Sequence, residues 1–358
     1  MNVDHSSRHR KVLDYAQAKG YEAVLACEPQ NVYYLTGFWG EATVVIAPGG
    51  ASLIVPALEL ERAKDSATDV GVIGGQRGPD MTNKLKEAVG SRKALIDNVD
   101  VSTFDRFASF LTSDLSADPQ AIMSAREVKD DAEISFLVEG GKVMDKLYGV
   151  TAELLSPGID ERTVAAAVLD EMVRMKADPP AYVSTLNPLI IASGANGSYP
   201  HAYTTERQME RGDLVVCDYV LRFGGYVVDA TRTFAISSAS DEMKRSYDAV
   251  LRSQLSGIEV IRPGVKTDEV DRATRAPLAG AGLEDLFVHG TGHGVGLDVH
   301  EAPSIRRGDQ EVLKENMAVT VEPGVYVKGR YGIRIEDSLI VREKPLVLTH
   351  FEKSLVYV

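Results

Sequence analysis

The chain has 358 residues, of which 44% are hydrophobic and 25% are charged, a composition typical of a globular protein. At ~150 residues per domain, this length predicts two or three domains. The 39 basic and 52 acidic residues give a net charge of −13, so a surface dominated by lysine and arginine is not expected. The composition therefore argues against binding to nucleic acid or to an anionic membrane surface.

The sequence carries no evident signal for export or for insertion into a membrane. No apolar run approaches the ~20 residues of a membrane-spanning helix, and the N-terminal residues lack the apolar stretch of a signal peptide. Cys27 and Cys217 each lie within an apolar run, which is typical of buried, reduced thiols. We therefore expect a cytoplasmic protein.

The first ~120 residues alternate helix and strand patterns, which predict a small α/β domain. Ser6 or Ser7 can cap the first helix, and Gly20 stands where a glycine commonly ends one. The turn sequence PGG between two apolar runs predicts a β-hairpin. In chain order, we predict a helix up to Gly20, a strand at 21–26, hairpin strands at 43–46 and 52–55, helices near 58–66, 79–89 and 102–112, and a linker, SADPQ, at 116–120.

The residues beyond this linker begin with helical patterns and then change to short β runs broken by glycine. The change occurs near residue 182. The predicted helices cover residues 129–155, a segment from about Asp160 to just before Asp178, residues 241–260, and a segment that Thr267 begins and caps. We therefore expect a second domain in which helices surround short strands.

Two segments of this second part share one pattern, an apolar strand that ends in a carboxylate, a glycine turn, and an apolar return strand that ends in another carboxylate. A turn centred between Phe223 and Gly224 would place Asp218 directly opposite Asp229. In the same way, a turn centred on Gly329 pairs Glu322 with Glu336. The repetition suggests two related halves that meet at one site.

Such pairs of like charges are costly in an apolar environment. Two carboxylates ~5 Å apart repel each other by roughly 3–4 kcal/mol at an effective dielectric constant of 20. A single acidic pair at strand ends is usually explained by solvent exposure, but two matching pairs among Val, Ile, Cys and Tyr are not. The four carboxylates therefore need a cation or protons to coexist.

The histidines strengthen this interpretation. Three of the seven, His289, His293 and His300, lie in the glycine-rich stretch HGTGHGVGLDVH. A phosphate-binding G-x-G-x-x-G loop is excluded, because its sixth position is occupied by Val295 or Leu297. Carboxylates with an imidazole favour Mn²⁺, Fe²⁺, Co²⁺ or Zn²⁺, and two bridging carboxylates can hold a pair of ions. Hydrolysis is the natural chemistry of such a site.

Several stretches resemble the pita-bread metallopeptidases, which include proline dipeptidase (prolidase), aminopeptidase P and methionine aminopeptidase. They are Pro200-His201, DYVLRFGGYVVDATRTF at 218–234, residues 289–300, VEPGVY at 321–326 and GIRIED at 332–337. NVYYLTGF at 31–38 and the spacing Arg126…Lys129…Glu133 resemble the prolidase and aminopeptidase P branch. The resemblance implies an α+β fold, with a creatinase-like α/β domain at 1–122 before a pita-bread domain of pseudo-twofold β-hairpins and flanking helices at 123–358.

The resemblance also implies a role for each candidate residue. Glu322 is expected both to bind metal and to carry a proton from the metal-bridging water, which attacks as hydroxide, to the leaving proline nitrogen. Tyr226, Thr231 and Arg232 would either support the site or simply pack near it. The implied metal ligands are Asp218, Asp229, His293, Glu322 and Glu336; His201 and His300 would donate hydrogen bonds to the substrate carbonyl or oxyanion; and His289 and Arg334 would line the substrate pocket.

Four functions remain open at this point, and an Xaa-Pro dipeptidase is placed first. The second is an aminopeptidase P that releases the N-terminal residue from longer Xaa-Pro peptides. The third is an enzyme that cleaves a different small-molecule bond, and the fourth is a non-catalytic binding module. The third is disfavoured because such branches of the family often lack metal ligands, whereas all five implied ligands are present here. We expect two divalent ions per subunit, Mn²⁺ or Co²⁺ before Zn²⁺ or Fe²⁺, a small peptide substrate with proline second, and, as the resemblance implies, a homodimer.

Overall fold

The computed structural model describes residues 3–97, 99–111, 114–180 and 187–358. The chain divides into two compact units, Met1–Arg126 and Glu127–Val358. This division lies in the same helix, Gln120–Glu127, as the boundary expected after residue 122. Within the described residues, no helix is both long and apolar enough to cross a membrane.

The first unit is built on one six-stranded mixed sheet. Strand β1 pairs antiparallel with β2 and parallel with β5, and the strand order is β4-β3-β2-β1-β5-β6. Apolar side chains of the sheet pack against α4 and α5. The elements are α1 (His5–Ala18), β1 (Ala23–Ala26), α2 (Pro29–Thr36), β2 (Thr43–Ala47), β3 (Gly50–Pro56), α3 (Leu60–Ser66), β4 (Gly71–Gly75), α4 (Pro79–Val89), β5 (Ala94–Ile96), α5 (Val101–Phe110), β6 (Leu115–Ala117) and α6 (Gln120–Glu127).

The sequence predicts most of this unit, with two corrections. The hairpin of β2 and β3 and the helix α4 are confirmed, and the helix expected at 102–112 is α5, although residue 112 lies outside the described residues. The first helix is capped by Asp4, which accepts a hydrogen bond from the Ser7 amide at 2.9 Å, because Ser6 and Ser7 already lie within its first turn. The linker at 116–120 is wrong, since Leu115–Ala117 pairs with β5.

In its described residues, the second unit contains two larger sheets and one two-stranded ribbon. The sheet orders are β17-β9-β8-β7 and β11-β10-β12-β15-β16, and the ribbon pairs β13 with β14. Helices α7 and α8 contact the four-stranded sheet that contains β7, β8 and β9, and helices α9 and α10 pack against each other. The elements are α7 (Asp131–Leu154), α8 (Glu161–Arg174), β7 (Leu189–Ser193), β8 (Leu214–Phe223), β9 (Tyr226–Ala235), α9 (Asp241–Val260), α10 (Thr267–Gly280), β10 (Gly292–Gly294), β11 (Glu301–Ile305), β12 (Ala318–Val321), β13 (Gly324–Val327), β14 (Tyr331–Arg334), β15 (Asp337–Ile340), β16 (Leu346–Val347) and β17 (Val356–Tyr357).

Helices α7 to α10 confirm the predicted ones, with small shifts at their ends. Helix α7 begins after Asp130 because Asp130 and Glu133 form a reciprocal capping box. Thr267 does not cap α10: it is the first helical residue, and its buried hydroxyl has no hydrogen-bond partner. The point near residue 182 where the β pattern was expected to begin lies outside the described residues.

The register of the first carboxylate hairpin differs from the predicted one. Strands β8 and β9 pair Asp218 with Thr231 and Val220 with Asp229, so the two aspartates are diagonal rather than opposite. The cause is the turn, where Gly224 and Gly225 have φ of 56° and 89°. Glycine tolerates positive φ at both central positions, so the two-residue turn lies at Gly224-Gly225, one residue further along the chain than the predicted Phe223-Gly224. The two aspartates nevertheless stay on one face of the sheet.

The second carboxylate hairpin has the predicted register, centred on Gly329. Val321 pairs with Asp337 and Gly324 pairs with Arg334. Glu322 and Glu336 therefore occupy matching positions at the point where the chain passes between the sheet and the ribbon.

A backbone bridge joins the two hairpins. Thr231 of β9 and Glu336 form an isolated antiparallel bridge, in which the Glu336 amide donates to the Thr231 carbonyl at 3.1 Å. Asp229 lies two residues before Thr231 and thus on the same side of β9. This bridge brings the carboxylates of both hairpins to one place.

A single buried carboxylate organises the segment that carries His201. Glu161, at the start of α8, accepts hydrogen bonds from the amide and hydroxyl of Ser193 at 2.7 Å each. It also accepts from the Asn196 side chain at 2.8 Å and from the amide and hydroxyl of Thr205 at 2.8 and 2.7 Å. The carboxylate thus connects α8, β7 and the chain on both sides of His201.

We expect Glu161→Gln to lower the free energy of unfolding by about 2 kcal/mol, because a neutral amide replaces a charged acceptor and turns one oxygen into a donor. Urea denaturation followed by circular dichroism measures this change. Glu153→Gln, at an exposed position of α7, is the matched control and should stay within about 0.5 kcal/mol of the unmodified protein. Equal stability of the two variants would contradict the organising role of Glu161.

Candidate metal centre

Three predicted ligands meet in the second unit. Donor atoms of Asp229, His293 and Glu336 all lie within 4.8 Å of one another. Asp229 belongs to β9, His293 to β10, and Glu336 lies between β14 and β15. Both carboxylates are buried, with 6% and 2% of their residue surfaces exposed. The three side chains can share one cation without rearrangement of the backbone.

The hydrogen bonding of His293 suits a metal ligand. Its Nδ1 lies 3.0 Å from the Gly294 carbonyl and therefore carries the proton, which leaves the lone pair of Nε2 free. Nε2 lies 3.6 Å from an oxygen of Glu322 and 3.9 Å from an oxygen of Asp229. Burial, together with the neighbouring His300, lowers the pKa of His293 to about 4. The ring is thus neutral, which is the form that binds metal.

The carboxylates are strongly perturbed by burial and by each other. Burial, followed by the charges of Asp218 and Glu322, raises the pKa of Asp229 well above its ordinary value. The pKa of Glu336 is raised in the same way, by burial and then by Asp229 and Glu322. Burial raises the pKa of Glu322 to about 8 despite the opposing charge of Arg334. The cluster therefore favours protons or a bound cation over bare negative charge.

Arg334 supplies a positive charge inside this cluster. Its guanidinium forms an ion pair with Asp218 and donates to the Thr231 hydroxyl at 3.1 Å. It also donates to the Tyr326 hydroxyl at 2.6 Å and to the Pro200 carbonyl at 3.1 Å. Arg334 is only 3% exposed. Arg334, which was expected to line the substrate pocket, thus contacts the carboxylate cluster directly and offsets part of the repulsion between the carboxylates.

Tyr326 is a site residue to which the sequence analysis assigned no role. Its hydroxyl accepts from Arg334 and lies 3.0 Å from Nε2 of His289. Since Nδ1 of His289 donates to the Gly290 carbonyl at 2.8 Å, the tyrosine donates its proton to Nε2. The motif VEPGVY contained a signal for this position of the tyrosine. In the register centred on Gly329, Tyr326 is opposite Gly332, which has no side chain to compete with the tyrosine ring for space.

The three other predicted histidines occupy different positions around the cluster. His289 has its Nδ1 3.8 Å from an oxygen of Glu322, and burial and the charge of Arg334 lower its pKa to about 3. The ring centre of His300 lies 4.4 Å from that of His293, and its side chain is exposed. His201 is also exposed and follows Pro200, whose carbonyl accepts from Arg334.

The structure separates the roles left open for Thr231, Tyr226 and Arg232. The Thr231 hydroxyl donates to Glu336 at 2.7 Å and accepts from Arg334, so it orients a predicted ligand. Tyr226 stacks on Phe136 with ring centres 5.6 Å apart. Arg232 donates to the backbone carbonyls of Thr231 and Glu336 and pairs with Asp337. Arg232 therefore holds the backbone of the two hairpins together.

Comparisons with known families account for both units. Residues 137–343 match the family described as "Metallopeptidase family M24", and residues 8–128 match "Creatinase/Prolidase N-terminal domain". The predicted α+β architecture, a creatinase-like domain followed by a pita-bread domain, is confirmed. The first match includes all the predicted ligands named above.

Similar proteins extend over the whole chain. The "Xaa-Pro dipeptidase" of Pyrococcus furiosus is 32% identical over 98% of this chain and 99% of its own length. The structure titled "Xaa-Pro dipeptidase from Bacillus anthracis" has a TM-score of 0.91 at 28% identity and covers 99% of this chain and 100% of that one. The "X-Pro aminopeptidase from Thermotoga maritima" has a TM-score of 0.88 at 28% identity, with 98% and 99% covered.

We expect the metal-free protein to lose stability between pH 6.5 and pH 8.5. The raised pKa of Glu322, about 8, means that the folded state holds a proton that the unfolded state releases near pH 4.5, so stability falls as the pH rises through this window. The lowered pKa values of His289 and His293 act only below pH 6.5. Thermal unfolding in a chelator measures the effect, and Glu322→Gln should reduce the slope. An unchanged slope in that variant would contradict the assignment.

Proposed function

Because the chain belongs to metallopeptidase family M24, we propose that it is an Xaa-Pro dipeptidase, which hydrolyses the peptide bond before proline. The observation that carries this proposal is the convergence of the donor atoms of Asp229, His293 and Glu336 within 4.8 Å. Support for the substrate comes from relatives named Xaa-Pro dipeptidase that match nearly the entire chain.

The donor set fits a pair of divalent ions. Buried carboxylates with raised pKa values and a neutral imidazole are the ligands that Mn²⁺ and Co²⁺ accept, and Zn²⁺ or Fe²⁺ remain alternatives. When bound, such ions lower the pKa of water and stabilise negative charge on oxygen. The residues proposed to hold the two ions are Asp218, Asp229, His293, Glu322 and Glu336.

The neighbouring side chains have distinct tasks in this proposal. Glu322 lies between His293 and His289 and carries a proton to the proline nitrogen as the bond breaks. His201 and His300, both exposed, donate hydrogen bonds to the scissile carbonyl as negative charge develops on it. His289 and Arg334 form the wall of the pocket, joined through the Tyr326 hydroxyl.

Selectivity for proline follows from the chemistry of its amide. The bond before proline is a tertiary amide without an N–H, and the ring fixes φ. A pocket for this residue needs no acceptor for an amide proton but must accept the ring. In a dipeptide, the free carboxylate lies on that ring and requires a hydrogen-bond donor or a cation.

An aminopeptidase that acts on longer Xaa-Pro peptides is the second candidate. The specific observation in its favour is the similarity to the Thermotoga maritima X-Pro aminopeptidase structure. The homodimer and the cytoplasmic location stay predictions, the latter supported by Cys27 and Cys217 being free of any disulfide.

We expect the metal-reconstituted enzyme to hydrolyse Ala-Pro faster than Ala-Pro-Ala, because a dipeptidase pocket closes around the free carboxylate. Release of alanine from both peptides, measured with added Mn²⁺ or Co²⁺, tests this preference. Activity confined to the tripeptide would contradict the dipeptidase and establish the second candidate. Ala-Ala serves as the control for the requirement for proline.

We expect Asp229→Ala to lower turnover of Ala-Pro by more than about 100-fold, because loss of a direct ligand costs more than loss of an outer partner. The first unit should remain folded, since Asp229 lies in the second. Activity and bound metal, the latter by elemental analysis, are measured on the same sample. Near-normal turnover with full metal content would refute the assignment of Asp229 as a metal ligand.

A further inference from the structure

The turn that joins β10 to β11 encloses a buried ion pair. Glu301 accepts hydrogen bonds from the amides of Leu297 and Asp298, at 2.9 and 3.1 Å, within its own turn. Its other oxygen lies 2.8 Å from Nζ of Lys129. The side chains of Lys129 and Glu301 are only 1% and 5% exposed. The carboxylate is thus both the cap of the turn and the partner of a buried cation.

The backbone of the turn lies directly against this carboxylate. A Cβ atom at Gly296 would lie 2.5 Å from one oxygen of Glu301 and 2.6 Å from the other, so a side chain at this position would displace the carboxylate. The Gly296 carbonyl accepts from the Val227 amide at 2.7 Å, which attaches the turn to β9. The turn is therefore held between the hairpin and the ion pair.

The two ends of the turn carry two residues of the proposed site. His293 precedes it and His300 ends it, and their rings are 4.4 Å apart. Lys129 precedes α7 and lies in the sequence pattern Arg126…Lys129…Glu133, to which the metal centre assigns no task. A shift of the turn would move both histidines together.

The energetics argue that stability is not the main contribution of the pair. Burying two charges costs about as much as their attraction returns, so apolar residues of the same size often stabilise a fold equally well. What an ion pair with two further hydrogen bonds provides is one defined geometry. We propose that Lys129 and Glu301 are positioning residues, which fix the turn so that His293 faces the metals and His300 faces the substrate carbonyl. This inference rests on the proposed function for the role of His300.

The central experiment compares Lys129→Met in two backgrounds. In the unmodified enzyme, it should lower kcat for Ala-Pro by about 100-fold with little change in KM, since a small displacement of a catalytic group acts on the transition state. In the His300→Ala background, the same substitution should cost much less, because the group that it positions is already absent. Equal fold-losses in both backgrounds would overturn the proposal.

A second variant addresses folding. The double variant Lys129→Met/Glu301→Gln removes both charges and keeps a carbonyl that accepts from Leu297 and Asp298. It should unfold near the temperature of the unmodified enzyme but remain about as slow as Lys129→Met, because the pair that fixes the turn is absent. A double variant that folds normally and recovers the kcat would overturn the proposal, since the slow single variant would then reflect only an unpaired buried carboxylate. Lys314→Met, which removes an exposed lysine paired with Glu127, is the matched control and should leave kcat unchanged.

A titration with Co²⁺ alone separates this inference from the proposed function. The titration is followed by visible absorption. Compared with the unmodified protein, metal-free Lys129→Met should bind Co²⁺ with about tenfold lower affinity, because His293 is no longer held in place. If the unmodified protein does not cleave Ala-Pro while this loss is observed, the proposed function is wrong and the positioning role stands. If the variant matches the unmodified protein in both Co²⁺ affinity and kcat, the positioning role is wrong.

Discussion

Repulsion between buried carboxylates is the constraint around which the second unit is organised. Asp229 and Glu336 are almost fully buried, and Glu322 approaches the same imidazole as Asp229. Each carboxylate raises the pKa of its neighbours, and burial raises them further. A fold selected only for stability would replace such residues by neutral ones. Their retention is explained by divalent cations, which turn the repulsion into a set of metal–oxygen contacts.

The two hairpins impose this proximity through the backbone. The bridge between Thr231 and Glu336 joins them, and Arg232 donates to the carbonyls of both residues. The side chains then continue the connection, since Thr231 donates to Glu336 and Arg334 reaches Asp218. Arg334 supplies one positive charge among several negative ones, and it does so at an edge where Tyr326 and His289 extend the hydrogen bonding. The remaining negative charge is available for metal.

The sequence predicted residue types and their order better than their geometry. Helices α7 to α9 and the Gly329 turn were predictable, because side-chain caps and a single glycine determine them locally. The register of the first hairpin was not, because Gly224 and Gly225 both accept positive φ and place the turn one residue further along the chain than symmetry between the carboxylates suggests. The partners of Arg334 also could not be foreseen, since Asp218, Tyr326 and Pro200 approach it only in the folded chain.

Calorimetric titration of the metal-free protein with Mn²⁺, at pH 7 in two buffers of different ionisation enthalpy, tests the central claim most directly. It counts the ions bound and the protons released in one experiment. Two ions per chain with release of at least one proton are predicted, because Glu322, with a pKa of about 8, holds a proton until a cation replaces it. Binding without proton release, or no binding, would contradict the account.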